Sequence, residues 1–294
     1  MNERLTITPH SQEYTLLSSI YNRKLALKQF PDLFFDKECE ELFNKVAFFP
    51  KKVPFKEVKI SAILDATRQN DFLIIYNAYL ERHPNASVIV LGCGLDTALR
   101  QLKTEGSTLY NIDYPDVMEA RNRLLPPKSG EVNIGADLLQ LGWFKHIKAN
   151  EEDGILFVAP NLFYTWKTED VKKLLLAIAE HFKGARIAFD ATNKRGSDRL
   201  QKLTKSPSAI EKTDLFSVDK AADITAWSEA FMLVEETPLM SGFSPLSKEF
   251  GRMTNLFFLL LDRLKWTKII EIKVSQYSKD EDDEYAADDY EEEA

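Results

Sequence analysis

Between residues 87 and 113 two short apolar runs flank a turn that carries two glycines. The runs are Ser87–Leu91 (SVIVL) and Thr108–Ile112; Gly92 and Gly94 lie in the turn, and Asp113 ends the second run. Glycines just past a strand let the backbone turn sharply and let a ligand approach without a Cβ in the way. Runs of four to six apolar residues suit parallel strands buried on both faces. Few architectures hold such a unit, and the pattern that follows it narrows them further. Glu131–Ile134 reads as a third, weaker strand, Ile155–Ala159 (ILFVA) as a fourth and Arg186–Asp190 (RIAFD) as a fifth. Between the last two, Val171, Leu174, Leu175, Ile178 and Phe182 recur at helical spacing, with Thr168 as a capping residue and Glu169 and Asp170 at the positive helix end. Strand and helix alternating in this rhythm predict a Rossmann-like α/β fold with a doubly wound, mostly parallel sheet. Ala230–Glu235 and Lys268–Val274 are expected to close it as a late hairpin with an antiparallel strand. A helix is expected directly after the glycine turn.

The flanks read differently. Apolar residues at helical spacing within 12–48 and 60–80 predict helices ahead of the first strand. The expected organisation is therefore a helical extension or lid over 1–80, a Rossmann-like domain over 81–277 and an acidic tail over 278–294. Residues 279–294 hold ten acids and one Lys, a balance of −9 in a chain of net charge −8, so the rest is close to neutral. The tail lacks the aliphatic residues needed to order itself and reads as solvated. No basic stripe points to nucleic acid, and no apolar run is long enough for a membrane span. Cys39 and Cys93 stand far apart without metal-type spacing, so neither a disulfide framework nor a metal centre is expected, and a reducing cytoplasm is the natural setting.

The chemistry is carried by the turn, Leu91-Gly92-Cys93-Gly94-Leu95-Asp96-Thr97. Asp113 follows Gly94 by 19 residues, about the distance at which an acid meets ribose hydroxyls. An adenosine-containing cofactor is the reading. Two enzyme classes share the layout, the nicotinamide dehydrogenases and the class I methyltransferases. A dinucleotide site prefers a small third residue where Thr97 stands, and Asp96 puts an acid beside the place of a pyrophosphate. The same acid is acceptable next to S-adenosylmethionine, which carries an ammonium and a sulfonium.

Several stretches then carry a resemblance: YTLLSSIYNRKLALKQFPDLFFD, VIVLGCGLDTALRQL, YNIDYPDVMEARNRLLP, ADLLQLGWF and EDVKKLLLAIAEHFKGARIAFDA. With G-x-G-L-D-T and D-x-P-x-V at this spacing, the chain resembles the leucine carboxyl methyltransferase-like family of class I methyltransferases. It is most similar to the bacterial branch that includes the tetracenomycin polyketide O-methyltransferase. The resemblance implies an S-adenosylmethionine-dependent O-methyltransferase acting on a small-molecule carboxyl or hydroxyl. It assigns Arg68 to the methionine carboxylate, Gly92 and Gly94 to the turn under the cofactor, Asp113 to the ribose, and Asp137 and Leu138 to the adenine. Asp96, Tyr114, Ala159 and Asn161 complete the expected cofactor set. Tyr14, Tyr21 and Arg23 from the lid, and Tyr164 and Trp166 past the fourth strand, are the expected acceptor-site residues. No catalytic residue is assigned: a carboxylate acceptor needs no base, a phenol would benefit from one, and no Ser-His-Asp set or close carboxylate pair is evident. One departure stands out. Where the family has Glu-Gly after the fourth strand, this chain has Pro160-Asn161. That change leaves open an S-adenosylmethionine-binding protein with weakened or lost catalysis; within the methyltransferases, a protein carboxyl methyltransferase is the other alternative.

Overall fold

The computed structural model describes residues 4–8, 10–48, 54–101, 105–198, 215–241 and 248–275. The expected tail, 278–294, lies outside them. In chain order the elements are β1 (Leu5–Thr6), α1 (Gln12–Gln29), α2 (Lys37–Lys45), β2 (Val46–Ala47), α3 (Phe55–Leu80), β3 (Ser87–Leu91), β4 (Thr108–Asp113), α4 (Pro115–Leu124) and β5 (Glu131–Gly135). They continue with β6 (Ile155–Ala159), α5 (Thr168–His181), β7 (Arg186–Thr192), α6 (Ala222–Thr225), β8 (Phe231–Pro238), α7 (Arg252–Arg263) and β9 (Thr267–Val274).

Seven strands form one sheet in the order β5-β4-β3-β6-β7-β9-β8. β3 to β7 pair in parallel, and β9 runs antiparallel between β7 and β8. Every residue of β3 and β6 is buried, as continuous apolar runs at the centre of a two-faced sheet require. Alternation along β3 divides the core. Val88 and Val90 pack with Leu17 and Ile20 of α1 and Ala62, Ile63 and Phe72 of α3. Ile89 and Leu91 face the other way, onto the Val171, Leu174, Leu175 and Ile178 face of α5. The helices α1 and α3 thus share one core face with the sheet.

Three local expectations change. After the glycine turn the described residues hold a 3-10 turn, Ala98–Gln101, and no α-helix. Asp96 accepts a hydrogen bond from the Ala98 N–H at 2.8 Å, and Arg100 leaves the turn for Glu131 and the Pro126 carbonyl. These three bonds divert the segment from a continuing helix. The cap of α5 is Lys167, with no side-chain bond, and Thr168 is the first helical residue. Lys167 is kept extended by a bridge to Leu215, while the Phe216 N–H donates to the Trp166 carbonyl. Finally, β7 runs to Thr192, because β9 pairs with it along its whole length. Asp190 is therefore inside the sheet rather than at a strand end.

Asp71 on α3 gives one test of these energetics. Burial pushes its carboxyl from about 3.8 up to about 8; Arg68 opposes the shift, and Asp262 and Asp190 add to it. A raised carboxyl favours the folded state only while protonated. Its contribution is complete below the unfolded value near 4 and is lost as pH rises toward 8. Asp71→Asn is expected to stabilise the protein by about 1–2 kcal/mol at pH 8, after allowance for solvent screening, and by much less at pH 5. Melting curves of both proteins at the two pH values check this; an equal gain at both would remove the charge as its cause.

Candidate functional site

Gly92 and Gly94 both take positive φ, 65° and 46°, which favours glycine. A Cβ on Gly92 would also overlap the Leu162 side chain from the loop after β6, so the two loops press directly together. Gly92 and Cys93 donate to the Ile112 carbonyl at 2.9 and 3.2 Å. The Gly94 N–H donates to Asp113 Oδ2 and the Tyr114 N–H to Asp113 Oδ1, each at 2.8 Å. Burial raises the Asp113 carboxyl, and those two N–H donors pull it back. Each carboxylate oxygen keeps acceptor capacity for a further donor such as a ribose hydroxyl. Arg121 of α4, fully buried, clamps the loop from below by donating to the Gly94 and Asp96 carbonyls at 2.9 and 3.0 Å.

At the end of β5, Asp137 accepts from the Leu139 N–H at 3.0 Å and from Gln140 Nε2 at 3.3 Å. It shapes the turn ahead of the 3-10 segment Leu141–His146. Leu138 is buried and its carbonyl accepts from Trp143 Nε1 at 3.2 Å, while Tyr114 is half exposed. This presents an apolar and an aromatic surface beside Asp113.

The loop after β6 closes on a carboxylate. Asn161, at φ 58°, donates its backbone N–H to Asp190 Oδ1 at 2.6 Å. Asp190 Oδ2 accepts from Arg68 Nε and from the Tyr164 hydroxyl. The Arg68 guanidinium lies 5.5 Å from the centre of the Tyr164 ring and 3.6 Å from Asp65 Oδ1. Burial, with the Asp190 charge added, drives the Tyr164 phenol far above its ordinary range, so it acts here as a proton donor. Ala159 ends β6 fully buried, one residue short of this loop.

A second cluster ties α1 to the glycine turn. Arg23 of α1 is buried among Asp96 at 3.1 Å and Asp36 and Asp65 at 3.5 Å. Asp36 caps α2 through the Cys39 N–H and accepts from the Thr97 hydroxyl at 2.7 Å. Asp65 joins the two clusters, since it faces both Arg23 and Arg68. The joined network holds two guanidinium groups against four carboxylates, Asp36, Asp65, Asp96 and Asp190. It therefore has an excess of negative charge. Tyr14 and Tyr21 belong to an aromatic group instead: their rings lie 5.1 and 5.7 Å from that of Phe48, and Tyr21 is 5.8 Å from Phe43. Trp166 packs on Phe163 at 5.6 Å. Among the described residues no group of three or more His, Cys, Asp or Glu is arranged to hold a metal ion, and no helix is long and apolar enough to cross a membrane.

Residues 66–179 match the family described as leucine carboxyl methyltransferase. Over that stretch the chain is similar to leucine carboxyl methyltransferases. Of its relatives, the tetracenomycin polyketide synthesis O-methyltransferase TcmP of Streptomyces glaucescens is 28% identical over 178 residues, 60% of this chain and 64% of TcmP. The S-adenosyl-L-methionine-dependent methyltransferase dpfgK of Gibberella zeae is 29% identical over 139 residues, 44% of this chain and 47% of that protein. The chain thus spans less than two thirds of the length of either relative. Among solved structures, a candidate methyltransferase of Thermobifida fusca YX is 12% identical with a TM-score of 0.54, over 92% of this chain and 96% of that one. The plantazolicin methyltransferase BamL is 10% identical with a TM-score of 0.50, over 91% and 100%. These two likenesses concern the fold.

The family match extends from just before Arg68 to beyond Trp166, so it includes the expected residues Gly92, Gly94, Asp96, Asp113, Tyr114, Asp137, Leu138, Ala159, Asn161 and Tyr164. Tyr14, Tyr21 and Arg23 lie outside it, as do Asp36, Asp65 and Asp190. The last three are the members of the charge network that sequence reasoning missed. Two of them carried a usable signal: Asp36 stands where a helix cap belongs, and Asp190 closes the apolar run RIAF. Asp65, on the exposed-looking side of a helical pattern, carried none.

Proposed function

We propose that this protein is a member of the leucine carboxyl methyltransferase-like family that binds S-adenosylmethionine above the carboxyl ends of β3 to β6 and methylates an oxygen of a small molecule, a carboxyl or a hydroxyl. One observation carries the reading: a glycine turn backed by Asp113 stands beside a network whose carboxylates outnumber its cations. A pyrophosphate would be repelled there, whereas a ligand with an ammonium and a sulfonium relieves the excess charge. The residues fit the group. Gly92 and Gly94 form the turn under it, Asp113 holds the ribose hydroxyls, and Leu138 with Tyr114 borders the adenine. Asp137 shapes that border. Arg68 takes the carboxylate, and the Ala159 carbonyl and Asn161 accept from the ammonium. When bound, the cofactor supplies an electrophilic methyl group. The chain's own task is to align the acceptor oxygen with it and exclude water. The α1 helix, pinned through Arg23 and Asp96, roofs the cleft with Leu16 over Gly94. Tyr14, Tyr21, Tyr164 and Trp166 are the proposed acceptor-facing groups. The lid-and-domain division at residue 80 and a cytoplasmic setting, consistent with two buried free thiols, belong to the same proposal.

Calorimetry with S-adenosylhomocysteine and NAD on the full chain tests it. Saturable binding of the former and none of the latter is expected; NAD binding alone would overturn the reading. Pro160-Asn161 favours a second reading, binding without turnover, which the absence of methyl transfer to any small carboxylic acid or phenol in a protein that binds S-adenosylmethionine would favour over the first.

A further inference from the structure

Pro160 and Asn161 leave the loop after β6 without a carboxylate of its own, yet a carboxylate is hydrogen-bonded to that loop. Asp190 reaches it from the neighbouring strand β7. It is fully enclosed, and it accepts three hydrogen bonds, from the Asn161 backbone N–H, Arg68 Nε and the Tyr164 hydroxyl. The loop bearing Asn161 is pressed against Gly92 through Leu162, so this arrangement adjoins the glycine turn. Three donors, one of them a guanidinium, meet the hydrogen-bonding demand of this buried carboxylate. Here it shares Arg68 with Asp65, which leaves one guanidinium between two carboxylates. That grouping has room for one more positive charge and, through the outer N–H groups of Arg68, for one carboxylate. An α-amino acid zwitterion supplies both.

We propose that Asp190 is a positioning residue that confers selectivity for the amino-acid end of the ligand. Its charge stands in for the acid missing at Pro160-Asn161, aims Arg68 at the ligand carboxylate and makes the pocket select for an ammonium group. This rests on the cofactor reading above, and the experiment separates the two. The probes are S-adenosylhomocysteine, its analogue lacking the amino group, and methylthioadenosine, which lacks the whole amino-acid end. If wild type binds none of them, the cofactor reading itself fails. If it binds all three, the adenosine half is secure and the comparison concerns Asp190. Wild type is expected to bind the desamino analogue at least about tenfold more weakly than S-adenosylhomocysteine, the size of one charge-assisted hydrogen bond. Asp190→Asn is expected to lose that discrimination while binding methylthioadenosine within about threefold of wild type. Asp190→Glu, which keeps the charge, is expected to retain it and carries the comparison should Asp190→Asn fail to fold. A merely structural role would weaken all three probes together. That result, equal binding of the two homocysteine ligands by wild type, full discrimination in Asp190→Asn, or its loss in a folded Asp190→Glu would each overturn the proposal.

Discussion

Arg23→Met is expected to destabilise the protein by about 3–5 kcal/mol, the cost of removing one member of a buried ionic cluster and leaving its partners uncompensated. Arg23 is buried and faces three carboxylates, Asp36, Asp65 and Asp96. Its own desolvation opposes the charged state, and those three acids more than offset it, holding the guanidinium firmly protonated. Methionine fills similar volume but neutralises nothing. Asp36 is already raised by burial and would lose its principal cation. The loss falls on the lid first, because Arg23 joins α1 to the cap of α2, to α3 and to the glycine turn. For a chain of this size a loss of that magnitude lowers the melting temperature by roughly 5–8 °C. Adding Asp96→Asn to Arg23→Met is expected to recover part of it, since the double variant leaves one fewer unpaired charge. Thermal unfolding of the three proteins measures both effects. A melting temperature within about 2 °C of wild type for Arg23→Met would mean that the cluster is solvated and contributes little.

Asp113→Ala is expected to weaken S-adenosylhomocysteine binding by about 1–3 kcal/mol, roughly ten- to a hundredfold, through lost charge-assisted hydrogen bonds to two ribose hydroxyls. The carboxylate also receives the Gly94 and Tyr114 N–H groups, so part of the loss will come from a slackened turn. Asp113→Asn separates the two contributions: the amide oxygen still accepts from one backbone N–H but carries no charge. An intermediate loss for Asn is therefore expected. Burial raises the Asp113 carboxyl, and its protonation removes an acceptor, so wild-type affinity is expected to fall as pH drops through the carboxylate range, with the fall absent in Asp113→Ala. Unchanged affinity in a folded Asp113→Ala would take Asp113 out of the site.

What could be read along the chain was the set of features with local causes. SVIVL and ILFVA are apolar throughout because both faces of a central strand are covered, and that composition is visible without knowing what covers them. Gly92 and Gly94 mark a positive-φ turn, and Asp113 follows at a spacing set by the length of one strand–turn–strand unit. The lid helices show their buried stripes for the same reason. Competition between neighbours decided the rest. The segment after the glycine turn has ordinary helical residues, but Asp96 and Arg100 find partners that draw it into a 3-10 turn. Arg68 reads as a helix arginine until β7 is extended by seven pairings with β9, which carries Asp190 into the sheet on the side of α3. Arg68 and Asp190 are 122 residues apart in sequence, and nothing in either neighbourhood announces the other. Periodicity and turn chemistry act over a few residues and are written in them. The pairing of buried charges depends on which elements the folded core brings together, so only the tertiary structure decided it.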